Sequence, residues 1–379
     1  MNFQMTDKQK IAQDVAKEFA AEILRSEAGV IDQDRTMPQH IIEKMAESSL
    51  CGVIIPEAYG GIGLNTACLV VAVEEIAMAC PSLGVVLAAH SIVSGQVMNF
   101  GSDRIKNEIL PKMAAGSLGG MAITEPNASS NLLALGTTGT PVGSGFKLNG
   151  TKVYTSNSDI ASYFTILFKS SSEPGPGSLT FALVDSQVPG LSKGRKEHLM
   201  GLGGDSIQSL SFKDMAVEEG RILGQVGGGL AVAQATVGVG YLCVAATAVG
   251  ASRELLRLAM QYAKQRDSGF GPISSHSVVQ QYVAEMSYLV EASQLLVHRA
   301  ASERDSGSKN PLAIWQSRVF AVDCAKRVAS LAQLIYGSYG FSEEYPVSRY
   351  VRDISGLQFI FGNQDLIRGN LGKFLFDQG

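Results

Sequence analysis

The sequence predicts an α+β fold, mainly α, built from three consecutive units, and three observations carry that expectation. Apolar residues fall at helical spacing from the N-terminus to about residue 118. The spacing drops to two over about 119–226, the signature of strands. Helical spacing then returns over 227–379, led by a stretch at 227–252 that carries no charge. The expected units are therefore 1–118 helical, 119–226 β, and 227–379 a helical bundle.

In the first unit Ile11, Val15, Phe19 and Ile23 recur every four residues and set one apolar stripe on the first helix. Pro38 opens HIIEKMAESSL, which stops at Gly52, the order in which Pro and Gly bracket a helix. Tyr59-Gly60-Gly61 reads as a turn. ACLVVAVEEIAMAC, LGVVLAAHSIVSGQVMNF and SDRIKNEILPKMAAG read as three further helices.

The second unit opens on FKLNGTKVY, two alternating runs around Asn149-Gly150. That pair predicts a hairpin, because a type I′ turn needs positive φ at both centres. YFTILFK, LTFALV and the run from Ile207 to Val217 read as strands, with SSSEPGPGS as a surface loop. In the third unit helices are expected at 230–264, 276–303, 310–340 and 362–375, a four-helix bundle broken at GFGPIS and GSYGFSEEYP. The uncharged stretch at 227–252 is long enough to cross a membrane, but an amphipathic helix follows it directly. It is read as a helix buried in a soluble bundle, with no membrane span.

Composition excludes other classes. Of the 379 residues, 45% are apolar and 17% charged, enough for a large core, and the formal charge of −4 with no Lys/Arg run argues against nucleic acid. The five cysteines, at 51, 68, 80, 243 and 324, are odd in number and scattered, without metal-ligand spacing. No metal site is expected. A reducing cytoplasm fits that usage, and the N-terminus has acidic residues and no long apolar block, unlike a signal peptide.

Four stretches in order resemble the acyl-CoA dehydrogenase family: YGGIGL with VAVEEIA, MAITEPNASSN (121–131), NGTKVYTSN (149–157) and YGSYGFSEEYPVSRYVRD (336–353). The resemblance spans essentially the whole chain. It implies a helical domain, a small β-barrel-like or sandwich domain and a C-terminal bundle. It also implies FAD as cofactor and an acyl thioester, on CoA or a carrier protein, as substrate. Further implications are an electron-transfer flavoprotein as redox partner and assembly into homodimers or homotetramers, with a hetero-oligomer as an alternative. The family's chemistry removes an α-proton with a carboxylate and passes the β-hydrogen to flavin N5, so it needs edge donors, packed groups over the ring and a positioned base.

Carried over residue by residue, the resemblance places Met121, Ile123 and Thr124 at the pyrimidine end of the flavin. Ser130 matches the family's serine at the cofactor and substrate. Tyr154 stands as the aromatic shield, Thr155 is its neighbour, and Ser156 supplies the hydroxyl near N5. Arg266 is the cation for the pyrophosphate, with Gln333, Gly337, Asn363 and Asp365 along the rest of the cofactor; Tyr241 and Gly362 fall on the substrate side.

This sequence also departs from the pattern. The signature's Gly and Asp are Ser129 and Asn131, Phe270 falls one position late so that Gly269 takes the aromatic's place, and Leu334 stands where glutamine is expected, with Gln333 adjacent. The motif that holds acyl-CoA, an aromatic followed by Asp and Arg, becomes Leu230, Gly238 and Tyr241. Above all, Phe361 occupies the position of the catalytic glutamate, and Gly240 its alternative position. The catalytic residue is therefore unknown from sequence. Two stand-ins are named: His90, on the helix that resembles the pocket wall, and Asp365, four residues beyond Phe361 and on its face if the helix continues. The readings are an acyl-thioester oxidoreductase, working as an α,β- or vinylogous desaturase or in reverse, with a relocated or dispensable base; a non-catalytic subunit of a hetero-oligomer; or a flavoprotein performing non-redox β-elimination.

Overall fold

The computed structural model describes residues 4–173 and 175–377. Thr6 opens α1 (Asp7–Phe19) with a reciprocal cap: its hydroxyl accepts from the Gln9 N–H, and the Gln9 side chain accepts from the Thr6 N–H. A wide turn over Ala20–Leu24 joins α1 to α2 (Arg25–Asp34). The predicted stripe is only half used. Phe19 is buried and Val15 and Ile23 partly so, but Ile11 is 61% exposed. Ala12, Ala16 and Ala20 are buried in its place, since small side chains let α1 lie close on α4.

Pro38 leads into α3 (Gln39–Glu47), and Ser49, in left-handed backbone at φ 58°, marks its end. Next come α4 (Thr66–Ala79), α5 (Pro81–Phe100) and α6 (Asp103–Ala114), close to their expected bounds. α4 and α5 are buried nearly all round, so neither shows a one-faced pattern.

The β unit contains β1 (Leu118–Ala122), β2 (Thr138–Val142), β3 (Gly145–Thr155), β4 (Ala161–Lys169), β5 (Leu179–Asp185), β6 (Leu191–Lys193), β7 (Gln208–Val217) and β8 (Ile222–Leu223). They form one sheet in the order β6-β7-β3-β2-β4-β5-β8, with β1 parallel to β4. One face curls around Leu148, Phe164, Phe168, Leu210 and Met215. The other packs Leu167, Phe181 and Leu183 on Val93, Val97 and Ile109 of α5 and α6.

The predicted Asn149-Gly150 hairpin is absent. β3 runs straight through that pair, and the turn falls earlier, at Gly143 (φ 58°), between Val142 and Gly145. Gly150 instead marks a bulge against β7, where its backbone lies so near Thr137 that a Cβ would meet the Thr137 Cα at 2.6 Å. Asn149 exchanges hydrogen bonds with Asp214 across the strands.

The third unit is α7 (Gly229–Gln265), α8 (Ser277–Asp305), α9 (Leu312–Tyr336), α10 (Pro346–Leu357) and α11 (Gln364–Asp377). α9 ends at Gly337 (φ 62°), short of the expected residue 340, and α10 was not anticipated. α10 and α11 both pack on α9. Most of the stretch at 227–252 lies in α7, buried from Gly238 onward apart from the partly buried Tyr241, where α4, α5, α8 and α9 pack on the helix.

Small residues bring α7 hard onto α5 and α4. A Cβ on Gly84 would lie 2.5 Å from the Thr247 hydroxyl, one on Gly240 would meet Ile92, and one on Gly250 would meet the Glu74 carbonyl and Ala77. These pairs set α5 and α7 antiparallel, with Gly84 level with Thr247 and Ile92 level with Gly240.

Between α10 and α11 the chain turns sharply, with Phe361 left-handed (φ 54°) and Gly362 at φ 130°. Arg318 of α9 holds this turn from beneath. It is fully buried, and its guanidinium donates to the carbonyls of Leu357 (2.6 Å) and Ile360 (3.2 Å) and to the Gln364 side chain (3.2 Å). Burial lowers its pKa to about 10.

Two stability effects follow. Gly250→Ala forces a Cβ against Ala77 at 2.9 Å and against backbone that cannot yield; it should cost about 1–3 kcal/mol in a urea unfolding curve. Arg318→Leu removes three buried hydrogen bonds from this turn and should cost about 3–5 kcal/mol. A near-neutral Arg318→Leu would show that the turn does not depend on the guanidinium.

Candidate active site

The segments after β1 and at the end of β3 lie side by side. The Val153 N–H donates to the Thr124 carbonyl at 2.8 Å, which sets Ile123 and Thr124 beside Tyr154. A buried ion pair fixes the junction. Lys152, wholly buried, donates to Glu125 Oε1 (2.7 Å) and to the Ile123 carbonyl (2.9 Å), while the Glu125 carboxylate also accepts from the Gly136 and Thr137 N–H groups. Burial pushes the Lys152 ammonium down to about 8 against the pull of Glu125. Burial works against the Glu125 carboxylate too, but Lys152, Thr137 and Gly136 outweigh it and hold its pKa below the usual range. Neither residue was singled out from sequence, although each sits inside one of the quoted motifs.

From this junction the chain zigzags outward. Tyr154 adopts left-handed backbone (φ 55°) and is 63% exposed, a strained and open placement for an aromatic side chain. Thr155 is buried with its hydroxyl unpartnered. The Ser156 hydroxyl donates to Asp205 Oδ2 at 2.9 Å, and the Asn157 N–H to Asp205 Oδ1 at 3.1 Å. Burial pushes the Asp205 carboxyl up to about 6, against those two donors and Lys196. Asn157, itself left-handed, ties the segment to α5 and β1 by donating to the Val86 and Gly119 carbonyls. Met121 faces α5, its sulfur accepting from Gln96, and Ser130 is exposed.

The turn at 358–363 carries Gly362, which the resemblance assigns to the substrate side, and Tyr241 approaches it. The Phe361 ring packs against Gly240, where a Cβ would be 3.2 Å from Phe361 Cδ2; the ring thus lies over the second position where the family carries its carboxylate. Tyr241 brings its hydroxyl beneath Gly362, 3.3 Å from where a Cβ would stand. No hydrogen bond holds that phenol among the described residues. Burial raises its pKa, with Arg318 acting the other way, so it stays protonated at neutral pH.

The two stand-ins for the base are placed elsewhere. His90 is fully buried, its Nε2 is 2.9 Å from the Cys51 carbonyl, and burial pushes its pKa down to about 4. It lies two residues before Ile92, about 200° around α5, so it points away from the face that meets Gly240. Asp365 was expected on Phe361's face of a continuing helix. The helix does not continue: the turn separates α10 from α11, and Asp365 sits exposed in the first turn of α11, paired with Arg368. Asn363 caps it, its side-chain oxygen accepting from the Asp365 N–H.

Arg266, Gln333 and Gly337 gather at the opposite end of α7. Arg266 caps that helix, its guanidinium lies 5.6 Å from the Tyr339 ring, and it forms no ion pair among the described residues. The Gln333 amide donates to the Gly340 carbonyl, Leu334 faces outward, and Phe270 is 96% exposed. Asn157 reaches α5 at Val86, close to the level of Thr247. Arg266 is nineteen residues further along α7, about 30 Å along the axis. One chain therefore does not bring the two sets together.

These residues fit a flavin dinucleotide in two parts: an open strand end with an unpartnered hydroxyl and an exposed aromatic for the ring, and an unpaired guanidinium for the phosphates.

Comparison with known proteins identifies the family. The family profiles described as acyl-CoA dehydrogenase N-terminal, middle and C-terminal domains match residues 6–117, 120–215 and 227–376. The chain is 30% identical to an acyl-CoA dehydrogenase of Bacillus subtilis over 98% of both sequences. Its structure superposes on butyryl-CoA dehydrogenase from Megasphaera elsdenii with a TM-score of 0.97 at 28% identity, covering 99% of this chain and 100% of that one. It superposes equally, at 0.97 and 30% identity over 99% of both, on a chain from a structure of the electron transferring flavoprotein of Acidaminococcus fermentans. With three domain profiles in order along nearly its whole length, the chain belongs to the acyl-CoA dehydrogenase family of FAD-dependent oxidoreductases.

Proposed function

We propose that this protein exchanges hydrogen between an acyl thioester and FAD without a carboxylate at either usual base position. The observation that carries the reading is the Phe361 ring lying over Gly240, with the protonated Tyr241 phenol beneath the same turn. FAD supplies the hydride acceptor or donor when bound. The main chain at Ile123 and Thr124, the Tyr154 ring and the Ser156 hydroxyl border the ring, while Met121, Thr155 and Ser130 shape the cleft around it. Phe361 and Gly362 give the substrate an apolar wall, and Tyr241 offers the thioester a hydrogen-bond donor there. A group that stays protonated suits delivering a proton better than taking one, which favours the reductive direction or a substrate that loses its proton from another carbon.

Arg266, Gln333 and Gly337 serve a second copy of the chain in this reading, because about 30 Å of α7 separates them from their own Ser156. The exposed Phe270, Leu334 and Phe341 around them give that contact apolar area. Asn363 and Asp365 stand beside the cofactor's phosphate arm. An acyl-CoA or acyl-carrier thioester is the substrate class, an electron-transfer flavoprotein the redox partner, and the five buried, unpaired thiols suit the cytoplasm. A second reading, a non-catalytic subunit beside a complete partner, is favoured by the same Phe361 and by the split cofactor residues.

The test uses the protein purified alone and incubated with FAD, then mixed anaerobically with saturated and α,β-unsaturated acyl-CoAs, starting from oxidised and from reduced flavin. Stoichiometric FAD and a flavin colour change with at least one thioester are expected, and Tyr241→Phe should slow that change about 10–100-fold while keeping the flavin. FAD bound but inert to every thioester would leave the partner-subunit reading. Thioester turnover with no change in the flavin and no electron acceptor would indicate β-elimination instead.

A further inference from the structure

Asp205 is a fully buried carboxyl that the expected chemistry does not use. It forms no salt bridge among the described residues; its partners are the Ser156 hydroxyl and the Asn157 N–H, both neutral. We infer that Asp205 is a positioning residue for Ser156: as a carboxylate it accepts the hydroxyl's hydrogen bond and leaves Ser156 an acceptor toward the neighbouring site, and as a carboxylic acid it donates to Ser156 and frees that hydroxyl to donate there. This deepens the reading that Ser156 borders flavin N5.

The two states balance through one proton. When Asp205 carries it, the acid donates to Ser156 Oγ, whose own hydrogen is free to point outward. When Asp205 is ionised, the Ser156 hydrogen points inward at 2.9 Å and only lone pairs face outward. N5 of an oxidised flavin accepts a hydrogen bond, and its reduced N5–H donates one. Oxidised flavin therefore favours protonated Asp205, and reduction favours release of that proton to solvent, offsetting one proton taken up by the reduced cofactor.

The switch falls near neutrality because burial raises Asp205 to about 6. Charged groups approach it from several elements. Lys196, on its own loop, pulls its pKa down and is itself paired with Asp159. From α2, Arg35 and the Asp32 backbone flank Gly203. From α10, Asp353 accepts from the Leu202 N–H, and Arg352 binds Asp32. From α5 the neutral Ser82 hydroxyl accepts from the Gly204 N–H.

The experiment measures the flavin midpoint potential against pH in the FAD-loaded wild type, Asp205→Asn and Ser156→Ala. The wild-type slope should be shallower over about pH 5–7 than that of either variant. Asp205→Asn should lose this extra flattening and keep only the break set by the reduced flavin's own ionisation. Ser156→Ala should lose it too, although it leaves Asp205 and its Asn157 bond in place, so the result does not hang on Asp205→Asn folding. A wild-type slope that matches both variants throughout, or extra flattening that survives in Ser156→Ala, overturns the role of Asp205 while the flavin site stands. Wild type that binds no FAD removes the flavin site and this inference together.

Discussion

The contact that the rest of the molecule depends on is the approach of α7 to α4 and α5. Thirty-seven residues of helix pass through the centre of the chain, and over 229–252 they carry no charge at all. Leu242 to Ala251 are buried without a break, because helices cover α7 on several sides. Glycines at 84, 240 and 250 remove the Cβ atoms that would hold those helices apart. Each face that meets α7 then inherits its register. Val86 and Gly119 receive Asn157, which fixes the end of β3, and Ile92 meets Gly240, which fixes the floor beneath Phe361.

On that frame, buried polar groups do the local positioning. Lys152 and Glu125 lock two strand ends together. Arg318 gathers two carbonyls and a side-chain amide to hold a turn whose backbone would otherwise be unfavourable for phenylalanine. The cost of burying the Arg318 charge is offset by those acceptors rather than by a carboxylate. Asp205 is a buried carboxyl held by two neutral donors, and one of them is the Ser156 hydroxyl.

Much of this was legible in the sequence. The order of helical, β and helical units, the burial of 227–252 and the four motifs follow from residue spacing and local residue types. The failures share one cause, which is that a local pattern cannot say what lies across from it. Asn149-Gly150 has hairpin chemistry, but the strand continues because Thr137 lies against Gly150 and β7 pairs on both sides of it. Ile11 completes a stripe by count yet is exposed, since alanines suit the close contact with α4 better. α10 was lost among turn residues, although Pro346 begins it and Tyr350 anchors it to the carbonyls of Met78 and Ala79. Lys152 and Glu125 could have been suspected as an opposite-charge pair in adjoining motifs. Asp205 and Arg318 carry no such signal, because their partners are distant in sequence.

The relation between positions 240 and 361 goes beyond a missing acid. A side chain at 240 would begin within 3.2 Å of the Phe361 ring and against Ile92, so the two positions share one volume. A carboxylate could occupy that volume from α7 or from the turn, with a small residue opposite. Here the small residue remains at 240 and an aromatic ring fills the space from 361, held in place by Arg318 below. The space is therefore taken up by an aromatic ring at the point where the family carries an acid. Beneath that ring the protonated Tyr241 phenol comes within 3.3 Å of where a Cβ on Gly362 would stand, so the turn brings a hydrogen-bond donor to the place from which the acid is missing.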